Sequence, residues 1–147
     1  QKLQDELQRA KADFLNARRR LEEERVRDRV RNKKHFVEDL LPLCDSFQMA
    51  MNNTEAWEKA DVSWRKGVEG INAQLQNILK EYGVSAINPA GEAFDPNRHE
   101  AVGTETVTDK KLDDTVVSVM QSGYEITLDG NTEIIRPARV TTGQYEN

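Results

Sequence analysis

A chain of 147 residues allows one ordinary domain, or a helical module with one small domain beside it. Only 37% of the residues are hydrophobic and 32% are charged, which excludes a membrane span and argues against a single globule with a large core. The net charge of -5 is uneven: residues 1–41 carry 12 Lys and Arg against 9 Asp and Glu, a net of +3, while the rest carries 9 against 17, a net of -8.

Residues 1–41 contain neither Gly nor Pro and are dense in Glu, Arg, Lys, Gln, Leu and Ala, a strong helix composition. Leu3, Leu7, Ala10, Phe14, Ala17 and Leu21 alternate steps of four and three, the seam of a coiled coil. That seam then meets Glu24, Asp28, Arg31 and His35, and a second stripe takes over at Val26, Val30, Val37 and Leu41. Repeats of eleven residues relax the left-handed supercoil, so a nearly straight helix pair with weak packing in its middle is expected. At ~1.5 Å per residue the segment is about 60 Å long. It needs a partner for its seam, most simply a second copy. The helical pattern is already under way at Gln1, and the first residues show no apolar leader core.

Pro42 is expected to end this helix, because it lacks a backbone donor and disfavours helical geometry in the residue before it. Leu40, Cys44, Phe47 and Met51 continue an apolar stripe over a short helix, and Asn52-Asn53-Thr54 reads as its stop. Asp61 is placed to cap a second helix over 62–82, with Gly83 just beyond it. Its stripe, Trp64, Val68, Ile71, Leu75, Ile78 and Tyr82, is the cleanest in the sequence. Two such short helices cannot bury both stripes against each other; with two more from a second subunit they make a four-helix bundle. Gly67 and Gly70, in mid-helix, suggest close backbone approach.

After Gly83 the texture becomes β. Strands are predicted over 84–88, 101–108, 116–121, 124–128 and 133–141, with turns at Asn88-Pro89 and Asp95-Pro96 and a hairpin at Asp129-Gly130. Pro137 places the last strand at a sheet edge or marks a bulge. About 60 residues is small for a free-standing β domain, so it is expected to lean on the bundle. The fold class is α+β: a long coiled-coil helix over 1–41, bundle helices over 42–83 and a small β domain over 84–147.

No catalytic motif emerges. Cys44, the one cysteine, lies on an apolar stripe, where core packing outweighs a nucleophilic role; alone it excludes an intrachain disulfide and suits a reducing compartment. Asp95, His99 and Glu100 lack a fourth ligand at metal-binding spacing, and no phosphate-binding glycine loop is present. No metal and no cofactor are expected. Basic residues interleaved with acids, on an acidic body, make nucleic acid a poor partner. What remains is a surface for binding another protein.

Four stretches carry a family resemblance: Asn16-Ala17-Arg18-Arg19-Arg20; Leu40-Leu41-Pro42 followed by Asp45-Ser46; Phe94-Asp95-Pro96-Asn97-Arg98-His99-Glu100-Ala101-Val102; and Met120-Gln121-Ser122-Gly123-Tyr124 with Arg136-Pro137-Ala138-Arg139-Val140. In this order and spacing they resemble the GrpE family, nucleotide exchange factors of DnaK-type heat-shock chaperones. The resemblance implies a parallel homodimer with a paired long helix, a four-helix bundle and two β wings. One wing would bind the chaperone's ATPase domain, open its nucleotide cleft and speed ADP release, with no direct nucleotide binding by the factor itself. It also implies a bacterial cytoplasm, or an organelle matrix or stroma. A coiled-coil dimeric scaffold without exchange activity is the alternative.

Carried over by position, Arg18 and Arg27 would meet acidic chaperone surface, or else form a solvated basic face. Phe94, Met120 and Arg136 would form the wing's contact patch, with wing core as the alternative for Phe94 and Met120. Asp95, Pro96, His99, Gly123, Tyr124 and Val140 would shape the wing. The dimer interface would take Leu7, Phe14 and Leu21 from the long helix, and Phe47, Trp64, Val68, Ile71, Leu75 and Ile78 from the bundle. Eleven residues separate Tyr124 from Arg136, an extended hairpin for this family, and Thr142 stands where a branched apolar residue is usual.

Overall fold

The computed structural model describes residues 1–146. It divides into two units, Gln1–Phe36 and the chain from Val37 onward. The first unit is helical from Lys2, within a helix, α1, that spans Lys2–Asn52. In the single chain its seam lies open: Leu3 is 80%, Phe14 65% and Leu21 65% exposed. Two ion pairs along it, Arg25–Glu22 at 3.8 Å and Arg31–Asp28 at 3.9 Å, are exposed and long, and contribute little.

The helix expected to break at Pro42 instead continues to Asn52. A mid-helix proline costs about 3 kcal/mol by removing one hydrogen bond and crowding the preceding turn. Here Val37, Leu41 and Cys44 on the same helix are buried, and a fully buried apolar side chain contributes about 1.5–3 kcal/mol. That anchorage outweighs the proline, whose ring stays exposed and whose carbonyl accepts the Ser46 hydroxyl at 2.9 Å. The stop at Asn52-Asn53 is where the sequence put it, but a one-and-a-half-turn helix, α2 (Thr54–Lys59), follows, capped by Asn53 and braced by Lys59–Glu55 at 3.0 Å. Helix α3 covers Val62–Glu81. Asp61 stands at its N-cap without a side-chain capping bond. A Cβ on Gly67 or Gly70 would meet nothing in the chain within 4 Å, so no close approach within the chain accounts for these glycines.

Six strands follow: β1 (Val84–Ile87), β2 (His99–Val107), β3 (Val116–Gln121), β4 (Gly123–Leu128), β5 (Asn131–Arg136) and β6 (Ala138–Tyr145). They form two three-stranded sheets, β1-β4-β5 and β2-β6-β3. All neighbours are antiparallel except β2 and β6, which run parallel. The single last strand predicted over 133–141 is two strands, because Pro137 ends one sheet's edge and the chain crosses to the centre of the other. The Asp129-Gly130 hairpin is present; φ values of 52° and 79° at the two residues suit the right-handed twist of the β4–β5 ribbon.

Two apolar clusters hold the second unit together. Val37, Leu41 and Cys44 of α1, Leu79 of α3, Val84 of β1 and Tyr124 and Ile126 of β4 form the first, between helices and sheet. Ile87, Val116, Ala138 and Val140 form the second, within the β domain, with Phe94, Val119 and Ile134 packed against it. The β domain does lean on the helices. It does so on Val37 and Leu41, from the stripe that begins at Val26, and on Cys44, from the stripe that begins at Leu40.

Candidate interaction surface of the β wing

Strand β3 pairs with β6, but the register shifts between Val119 and Gln121, leaving Met120 as the extra residue of a bulge. A bulge bends the strand and re-aims the unpaired side chain. Met120 is 64% exposed, an unbranched, polarizable side chain turned outward from a strand whose neighbour Val119 packs inward. A second bulge leaves Val102 of β2 unpaired and 41% exposed.

Arg136 is placed differently. Its Nε donates to the Ser122 carbonyl at 3.0 Å, its Nη1 to Asp45 Oδ2 at 2.9 Å, and its Nη2 to Asp45 Oδ1. The guanidinium also lies 5.5 Å from the Tyr124 ring centroid. Gln121, next to Met120, donates its side-chain amide to the same carboxylate at 3.1 Å. One turn along α1, Gln48 Oε1 accepts from the Ser122 backbone N–H at 3.3 Å and from its hydroxyl at 3.1 Å. The structure thus brings Arg136 and the β3–β4 corner together at Asp45 and Gln48. Asp45 was legible only as part of a motif; Gln48 carried no signal, since a polar residue on an exposed-looking helix turn predicts nothing specific.

Phe94 is half-buried against the second cluster, its ring 5.8 Å from that of His99. Asp95 makes the turn the sequence suggested: its backbone N–H donates to His99 Nδ1 at 2.9 Å, its carboxylate accepts from the Asn97 N–H at 3.0 Å, and Pro96 sits exposed at the corner. Acceptance at Nδ1 places the proton of a neutral His99 ring on Nε2, a buried atom with no hydrogen-bond partner among the described residues. Gly123 is buried where strands cross: a Cβ there would collide with the Ala138 nitrogen and lie 2.8 Å from the Pro137 carbonyl carbon. Tyr124 and Val140 are core residues. Arg18 and Arg27 are exposed on α1 in the first unit.

Of the bundle stripe, Trp64 (58%), Ile71 (56%), Ile78 (44%) and Tyr82 (46%) stand exposed in the single chain, while Phe47, Val68 and Leu75 are partly covered. The Trp57 and Trp64 rings lie 6.2 Å apart. Among the described residues, no group of three or more His, Cys, Asp and Glu side chains is placed to hold a metal ion, and no helix is long and apolar enough to cross a membrane.

The fold is α+β, in the order long helix, short helices and β domain. A family model described as GrpE matches residues 1–144. The chain is 36% identical over 141 residues to Protein GrpE of Aliivibrio fischeri strain MJ11, spanning 96% of this chain and 70% of that one. It is 37% identical over 140 residues to Protein GrpE of Lactiplantibacillus plantarum (95% and 68%), and 40% identical over 142 residues to that of Burkholderia cenocepacia (97% and 74%). The chain belongs to the GrpE family of co-chaperones.

Proposed function

We propose that this protein accelerates ADP release from a DnaK-type chaperone by binding the open form of its ATPase domain through the β wing. The observation that carries this reading is the bulge that turns Met120 out of strand β3, beside a β domain whose other large apolar side chains mostly face inward. A factor that binds the open cleft better than the closed one must weaken nucleotide binding by the same ratio, and nucleotide must in turn weaken its own binding. The mechanism is linkage, so the factor performs no bond chemistry and binds neither nucleotide nor nucleic acid itself.

The working unit is a homodimer. The exposed Trp64, Ile71, Ile78 and Tyr82 on α3 and the open Leu7, Phe14 and Leu21 seam support pairing with a second copy. The bacterial relatives support a cytoplasmic site of action. Release of a labelled ADP analogue from a DnaK-type ATPase domain is the test. Met120→Ala should slow stimulated release at least several-fold, as expected for a central anchor, while dimerisation and the helical spectrum stay intact. No stimulation by the parent protein would leave the scaffold reading in its place.

A further inference from the structure

We propose that Asp45 and Arg136 form a latch that fixes the angle of the wing on α1, and that Asp45 is a positioning residue for the Met120 surface. Asp45 follows buried Cys44 on α1, and its carboxylate takes three donors from the wing: two from Arg136 and one from Gln121 at 3.1 Å. All three nitrogens of Arg136 are bonded, to Asp45 and to the Ser122 carbonyl. Gln48 adds a second grip on Ser122 one turn away, and the Ser122 hydroxyl also lies 2.6 Å from Asn88 Oδ1. The two ionic side chains are only 22% and 21% exposed.

A pair so far withdrawn from water gains little net stability over an apolar pair of the same size. What it adds is direction. The apolar cluster between the helices and the wing is held by a non-directional force, which by itself specifies no angle. A two-pronged guanidinium–carboxylate pair is planar and fixes both the distance and the orientation of its partners. Because Gln121 and Ser122 are the residues immediately after Met120, gripping them sets where the bulge points relative to the helix. The latch itself stands on the contacts; its bearing on exchange rests on the function proposed above.

Two measurements separate these halves. Spin labels at Ala50→Cys on α1 and Thr106→Cys on β2, diluted with unlabelled protein so that only pairs within one chain are read, report the helix-to-wing distance. Asp45→Asn and Arg136→Lys should each broaden that distribution, while the thermal transition of the wing stays cooperative. In the exchange assay, Asp45→Asn should lower the maximal stimulated rate of ADP release about tenfold, the order expected for one lost charge-assisted pair, and change the half-saturating concentration less. A merely structural weakening would move the melting transition and not the ratio of those two parameters. An unchanged distance width overturns the latch whatever the exchange rate does. A broadened distance with undiminished exchange overturns the positioning role. A parent protein that does not stimulate release refutes the function reading, and the label distances still decide the latch.

Discussion

Tyr124 concentrates much of the second unit's chemistry in one side chain. It is 3% exposed, and burial pushes its pKa up to about 12; a hydrogen bond with Gln76 opposes the shift and one with Cys44 adds to it. Burial likewise raises the Cys44 thiol, the inert core cysteine its stripe suggested. A tyrosine in the unfolded chain titrates near about pH 10. Between that value and the folded one, only the unfolded state loses its proton. The stabilising contribution is therefore complete below about pH 10, falls as pH rises toward 12, and levels beyond it. Two units of separation correspond to on the order of 2–3 kcal/mol. Urea unfolding at roughly pH 9 and pH 11 should show a larger loss for the parent protein than for Tyr124→Phe; equal losses would remove Tyr124 as the titrating group. At this scale the sequence was readable where one residue type has one physical use. Asp129-Gly130 formed the predicted turn and Asp95 the predicted corner, whereas the carboxylate partner of Arg136, Asp45, lay 91 residues away on another element, and nothing local paired the two.

Helices read well by period and poorly by boundary. The α3 stripe was legible because apolar residues repeat at helical spacing, and its exposure in the single chain fits a face awaiting another subunit. Changing Ile71 to Asp would put an unpaired charge into such an interface, and losing a buried partner of this kind costs about 3–5 kcal/mol. Sedimentation of that variant should show monomer at micromolar concentration, and a fully dimeric variant would refute the bundle. The arm offers the opposite case, since Glu24, Asp28 and Arg31 occupy the positions where the Leu7–Leu21 seam should continue. Replacing the three by Leu should raise the first helical melting transition seen by circular dichroism; no change would mean that these positions do not face the partner helix. Pro42 misled because a local rule was outweighed by tertiary burial on either side of it, and α2 escaped notice because six residues are too few to show a period. The split at Pro137 was half-visible: a missing donor marks an interruption, and only the sheet pairing says which strands it separates.

Across the whole molecule, charge is the property most legible from sequence, and it bears on partner choice more than on fold. Arg18 and Arg27 are exposed, so under the function proposed above any contribution they make to binding would be screened and small. Arg18→Ala with Arg27→Ala should weaken binding only a few-fold and flatten its salt dependence, as read from titrations at two ionic strengths. A loss as severe as that of Met120→Ala would move the centre of the interface to the helix. The topology of the second sheet has a bearing on how the protein is made. Its middle strand is β6, the last in the chain, and it pairs parallel with β2, some 40 residues earlier, and antiparallel with β3. While a ribosome is still short of Ala138, β2 and β3 have nothing between them, and Ile87 and Val116 lack the Ala138 and Val140 side chains that complete their cluster. The helices can form as they emerge because their bonds are local, but wing closure waits on long-range pairing. A nascent chain therefore carries its helical stem before its wing can close, because the strand that joins β2 to β3 is the last to be made.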